Sequence, residues 1–158
     1  MAITPETRDY RTFEVRALDT GEEDKQYRVE GYAAVFDEET VLYEYDGIEY
    51  KEVIDRSAFT GAEMRDVVMN YNHGGKPVAR TKNGTLQLTV DTRGLRISAD
   101  LSGTEEGRRL YEEIRGGYLD QMSFAFTVNK QEYDRAKHLR RITGFKRVFD
   151  VAAVDIPA

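Results

Sequence analysis

Along most of the chain, apolar and polar residues alternate with a period of two, the pattern of half-buried strands. Phe13, Val15 and Ala17 alternate with Thr12, Glu14 and Arg16, which predicts a first strand from Arg11 onward. A second covers 27–36 through Val29, Gly31, Ala33 and Val35, small residues that require close packing or a bulge at Gly31. Tyr43 and Tyr45 lie in a looser segment that turns at Asp46-Gly47, and 48–54 is a further strand. Residues 67–71 form a short apolar strand running into Asn72-His73-Gly74-Gly75. Asn83-Gly84 predicts a hairpin between the Val78 region and a strand over 86–90, and 95–101 alternates again. Over 121–128, Met122, Phe124, Phe126 and Val128 share one face, while Ser123, Ala125 and Thr127 share the other. A turn at 134–137 leads into a final strand pair over 139–156.

Two segments read as helices. Asp55-Arg56-Ser57 supplies caps for a short one ending at Met64. Thr104-Glu105-Glu106 opens another with a cap and early acids, carried through Leu110, Tyr111 and Ile114 and stopped by Gly116-Gly117. The sum is a mainly β (α+β) domain with two or more short helices, built as a curled antiparallel sheet or barrel. Residues 1–10 are polar and expected to be disordered, leaving 11–158 as a single domain. There is no repeat, low-complexity tract or linker.

Composition narrows the function. The chain has 158 residues, 40% hydrophobic and 33% charged, an ordinary globular mix. The absence of cysteine excludes a disulfide framework, a thiolate metal site and a cysteine nucleophile. A net charge of −6 argues against a surface built for nucleic acid. No apolar run approaches a membrane span, and the first residues lack the pattern of a signal peptide.

Three residues stand out chemically. His73 follows a strand and precedes two glycines, a loop position suited to a base that takes a proton near neutral pH. Ser123 sits on the small-residue face of its strand, which leaves room for a substrate backbone. Asp150 is a carboxylate in the apolar run Val148-Phe-Asp-Val-Ala-Ala-Val, a costly position without a hydrogen-bond partner such as a histidine ring. For each there is a bland alternative: a solvated loop histidine, a strand serine, an edge aspartate. The basic run Arg135, Lys137, Arg140, Arg141, Lys146, Arg147 reads as the solvated face of a hairpin, with His138 pointing to water.

Taken in order, the segments resemble the prohead maturation proteases of tailed phages, a family similar in fold to the herpesvirus capsid-maturation protease. The resemblance runs through Glu30-Gly-Tyr-Ala-Ala-Val-Phe, Tyr50-Lys-Glu-Val-Ile-Asp-Arg-Ser-Ala-Phe, Met69-Asn-Tyr-Asn-His-Gly-Gly, Asp120-Gln-Met-Ser-Phe-Ala-Phe and Phe149-Asp-Val-Ala-Ala-Val-Asp-Ile-Pro-Ala. It implies a serine endopeptidase with Ser123 as nucleophile and His73 as base. Asp150 falls where the family often has Glu, and Ala152-Ala153 replaces its Ser-Pro. The herpesvirus relatives use a second histidine as third member, which would be His138 here; Asp150 ranks above it. Arg140 or Arg141 would support the oxyanion, as an adjacent arginine pair does in those relatives.

The resemblance further implies work inside the phage prohead, in the host cytoplasm. The substrates would be the major capsid protein with its scaffold segment, other prohead components and the chain itself. No metal or organic cofactor, membrane or specific nucleic acid is implied, and a homo-oligomer is expected. The chain ends at Pro157-Ala158 where family members continue, which suits a trimmed or a self-processed core. The competing reading is a catalytically inactive structural or scaffold module of the phage head.

Overall fold

The computed structural model describes residues 8–18 and 27–154. The strands are β1 (Asp9–Glu14), β2 (Arg16–Leu18), β3 (Arg28–Val35), β4 (Thr40–Tyr45), β5 (Ile48–Ile54), β6 (Val68–Tyr71), β7 (Gly74–Arg80), β8 (Leu86–Val90), β9 (Gly94–Asp100), β10 (Gln121–Asp134) and β11 (Leu139–Val154). The single α-helix among the described residues, α1, spans Glu105–Arg115. Thr104 caps it by accepting the Gly107 N–H at 2.8 Å, and the glycine stop lies where the sequence places it.

Two sheets result. The smaller has the order β2-β3-β9-β8, and the larger β1-β10-β11-β5-β4. In the larger sheet β11 pairs antiparallel with β10 along its length. Its other edge is shared by two parallel neighbours, β5 at 139–142 and β6 at 150–153, and β7 pairs in turn with β6. The core lies between the sheets. Phe13, Met69, Met122, Phe124, Phe126, Phe145 and Val151 meet Val29, Leu95, Ile97 and Ala99, with Leu110, Tyr111 and Ile114 of α1 at one end. Each large side chain removed from water contributes about 1.5–3 kcal/mol before entropy is counted. Gly31 is packed as its sequence context requires: a Cβ there would lie 2.4 Å from the Glu14 carbonyl oxygen. The register slips just after it, between Tyr32 and Ala34.

Several expectations are corrected. The larger sheet curls but does not close into a barrel; its edges, β1 and β4, do not pair. Side chains reach across the curl instead, from β1 to β5. Arg11 on β1 grips the buried Glu52 of β5 with two hydrogen bonds, 2.9 and 2.7 Å, and Arg140 reaches the same carboxylate at 3.2 Å. The sheet is also mixed rather than antiparallel, because β5 and β6 run with β11.

The helix expected after Asp55 is a series of turns. Asp55 does accept the Ser57 N–H, at 3.1 Å. However, the backbone groups a helix would need bond to β11 instead: Phe145 N–H to the Ala58 carbonyl, Glu63 N–H to that of Lys146, and Val148 N–H to that of Glu63. Asn83-Gly84 makes no hairpin. It closes a short 3₁₀ turn that carries the chain from β7 in one sheet to β8 in the other. The segment at Tyr43 is a full strand, and the expected pair after the 134–137 turn is one long strand, β11. Strand β1 begins at Asp9, two residues before the alternation predicts it. No helix among the described residues is long and apolar enough to cross a membrane.

Glu30 contributes to an acid limb on stability. Glu30 on β3 is held below the usual carboxylate range by hydrogen bonds from Arg96 and then Arg16. A depressed native pKa stabilises the fold fully above the ordinary carboxylate range, about pH 4–5, and the contribution is lost as pH falls below it. The thermal midpoint of Glu30→Gln is therefore expected to fall less steeply between pH 5 and pH 3 than that of the parent, as read by circular dichroism melts. Parallel acid limbs would show that Glu30 contributes nothing.

Candidate active site

The register of the larger sheet lines up side chains in rows across one face. Ser123 on β10 is opposite Thr12 of β1 and Ala152 of β11, and Ala152 is opposite Asn70 of β6. The next row holds Tyr10, Ala125, Asp150 and Val68. Residues opposite one another share a face, so Ser123 and Asp150 project to the same side, as diagonal neighbours with Cα atoms on the order of 7–8 Å apart. The other face carries Met122, Phe124 and Phe126 into the core. A slip in the β10–β11 register just before Ala125↔Asp150 leaves Phe149 without an opposite residue, a bulge that re-aims Asp150.

His73 reaches this face from the β6–β7 hairpin. Tyr71 pairs with Gly74, so the loop is two residues, Asn72 and His73. Both have positive φ, 49° and 57°, as a type I′ turn demands. Asparagine tolerates that region, but at the second position glycine is the unstrained choice, and a histidine there costs roughly 1 kcal/mol. The strain is offset by what the ring contacts. His73 Nδ1 lies 2.6 Å from Asp150 Oδ1, and the Tyr10 ring meets the imidazole edge-on at 4.9 Å. Tyr10 and Asp150 flank Ala125, so the imidazole lies between the two side chains on either side of a methyl group.

The pair is sheltered, with His73 21% and Asp150 13% exposed. With Nδ1–H donated to the carboxylate, Nε2 keeps a lone pair that can take a proton. Nε2 is buried and makes no hydrogen bond, to Ser123 Oγ or to any other described group. Ser123 itself is 4% exposed.

A family model described as caudovirus prohead serine protease matches residues 11–158. The chain belongs to the caudovirus prohead serine protease family. It is thus a serine peptidase of a family that serves capsid maturation. No curated protein and no solved structure gives a match.

In this prohead protease, the structure brings His73 and Asp150 into contact on the face that carries Ser123. It does not bring the other sequence candidates there. Arg140 is engaged by Glu52, by Asp9 at 3.5 Å and by Gln131 at 2.6 Å. Its guanidinium shares Glu52 with Arg11, which sits over the Phe126 ring on the opposite, core-side face of the sheet. Arg141 pairs with Asp55 at 3.1 Å and Asp37 at 3.8 Å. His138 lies in the turn between β10 and β11 with its ring 5.1 Å from that of Tyr50. A cavity of about 810 Å³ between β1, β3 and the β4–β5 hairpin includes none of Ser123, His73 and Asp150.

Two residues at the site escape the sequence reading. Tyr10 fell in the segment expected to be disordered. Asn70 is a polar residue in an otherwise apolar strand, the same signal that singled out Asp150. A buried carboxylate hydrogen-bonded to a base through Nδ1 fixes its tautomer. Asp150→Asn should cut kcat/KM by roughly 10²–10⁴ while the thermal midpoint stays within a few degrees, because the amide fills the same space. Assay of the purified variant beside a melt tests this; an unchanged kcat/KM would remove Asp150 from the site.

Proposed function

We propose that this prohead protease is an endopeptidase that removes scaffold segments from the capsid protein and other assembly proteins within the prohead, and that it also cuts itself. The likeness to the herpesvirus protease rests on the ordered sequence segments and extends the same reading. Ser123 is the nucleophile, His73 the general base and Asp150 the residue that orients it.

Chemistry follows from those roles. Ser123 Oγ attacks the scissile carbonyl carbon as its proton passes to His73 Nε2. Backbone N–H groups hold the oxyanion. The protonated imidazole, steadied by the Asp150 carboxylate, then gives its proton to the departing amine, leaving an ester on Ser123. Water, deprotonated by the same nitrogen, hydrolyses that ester. Ala125 and Ala152, the neighbours of Ser123 on this face, contribute only methyl groups.

The observation that carries the reading is the 2.6 Å contact of His73 Nδ1 with Asp150 on the face that bears Ser123. A module kept only for structure has no use for a histidine in a left-handed turn position where glycine is cheaper.

Ser123→Ala tests it. The side chain makes no hydrogen bond that the fold needs, so the variant should fold with the parent's melting curve and lose at least 10³-fold in cleavage of a quenched-fluorescence peptide library. Processing of that library at the parent's rate would overturn the nucleophile assignment.

A further inference from the structure

The described residues contain four buried polar side-chain atoms without a hydrogen-bond partner: Asn70 Oδ1, His73 Nε2, Thr127 Oγ1 and Arg80 Nε. Three of them belong to one face. Asn70 stands in the Ser123 row, across Ala152. Thr127 alternates with Phe126 and so projects with Ser123 and Ala125. His73 Nε2 is on the ring that contacts Asp150. A buried acceptor left unpaired costs about 1–3 kcal/mol, and such groups are rare enough in folded proteins that a cluster needs a reason. Asn70 and His73 supply one, because they share the face beside Ser123, where a bound substrate would pair them, whereas Thr127 lies four residues along β10 from Ser123.

Asn70 is the informative member. It is 6% exposed and lies two strand spacings from Ser123, about 10 Å between Cα atoms. Ala152 alone separates the two in the row. A peptide laid along this row from Ser123 Oγ would pass its main-chain amides over Ala152, at roughly 3.3 Å per residue. Asn70 Oδ1 is then opposite a main-chain N–H about three residues from the scissile bond. That span is too long for Asn70 to serve the oxyanion.

We propose that Asn70 is a substrate-contacting residue whose carboxamide oxygen accepts a main-chain N–H of the bound peptide, aligning its backbone beside Ser123. This rests on Ser123 being the nucleophile. It makes the protease select an extended main chain through Asn70, independently of side-chain identity.

The contact has a double signature, because the atom that binds substrate is a liability in the free protein. Asn70→Leu, near in shape and apolar, should leave the melting temperature unchanged or raise it. It should lower kcat/KM for the peptide library about tenfold, chiefly through KM, the worth of one hydrogen bond. Asn70→Ala should show the same kinetic loss. Diisopropyl fluorophosphate, which has no peptide backbone, should label both variants at the parent's rate. A scan of substrate peptides N-methylated one position at a time should find a single methylation that weakens binding to the parent and has no further effect on Asn70→Leu.

A lowered melting temperature with unchanged kcat/KM would overturn the proposal and make Asn70 a structural residue. So would equal sensitivity of parent and variant to every N-methylation. If Ser123→Ala retains cleavage and labelling, the nucleophile assignment fails and this inference fails with it. Loss at Ser123→Ala with a fully active Asn70→Leu would sink the Asn70 contact alone.

Discussion

Strand β11 is the member on which the rest of the fold depends. Its last residues are gripped on both edges, by β10 on one side and by β6 on the other, over the same four positions 150–153. A strand paired on both edges has little freedom to slide, and a slip of one residue would turn its side chains to the opposite face. The double pairing therefore fixes three distances at once. It sets Asp150 diagonal to Ser123, puts Asn70 in the Ser123 row, and aims the β6–β7 hairpin so that His73 meets Asp150. The bulge at Phe149 belongs to the same device, since it interrupts the pairing just before the carboxylate.

The two faces of this region have opposite tasks. One carries Phe124, Phe126 and Val151 into the core and holds the sheet together. The other is lined by Ala125, Ala152, Ser123 and Thr127, small groups that are buried but lie outside the main apolar cluster. Stability and the proposed chemistry are thus separated by the pleat of single strands. The strain on this face is local: a histidine at positive φ and a few buried polar atoms without partners among the described residues. The Arg11–Glu52–Arg140 cluster works on the opposite, core-side face, where it ties β1 to β5 across the curl of the sheet.

Much of this was legible in the order of residues. Period-two alternation marks the strands because each buries one face, and Thr104 with Gly116-Gly117 bounds α1 by backbone rules that need no tertiary context. Asp150 was visible as a carboxylate in an apolar run. What stayed hidden depends on partners distant in sequence. Nothing local says that β5 and β6 run parallel to β11, or that residues 58 and 63 give their backbone bonds to β11 rather than to a helix. Asn72-His73 hid its turn type because histidine stands where the usual hairpin signal has glycine. Asn83-Gly84 carried that signal and is used between sheets instead. Arg140 and Arg141 looked free in sequence, and only the fold shows the carboxylates that occupy them.

The central claim is that His73, oriented by Asp150, activates Ser123. It is tested most directly by treating the purified protein with a fluorophosphonate and locating the adduct by peptide mass spectrometry, in the parent and in His73→Gln. The account predicts one modified peptide, containing Ser123, whose labelling rate falls at least a hundredfold in His73→Gln. An adduct on a different hydroxyl, or Ser123 labelling that His73→Gln leaves untouched, would contradict it.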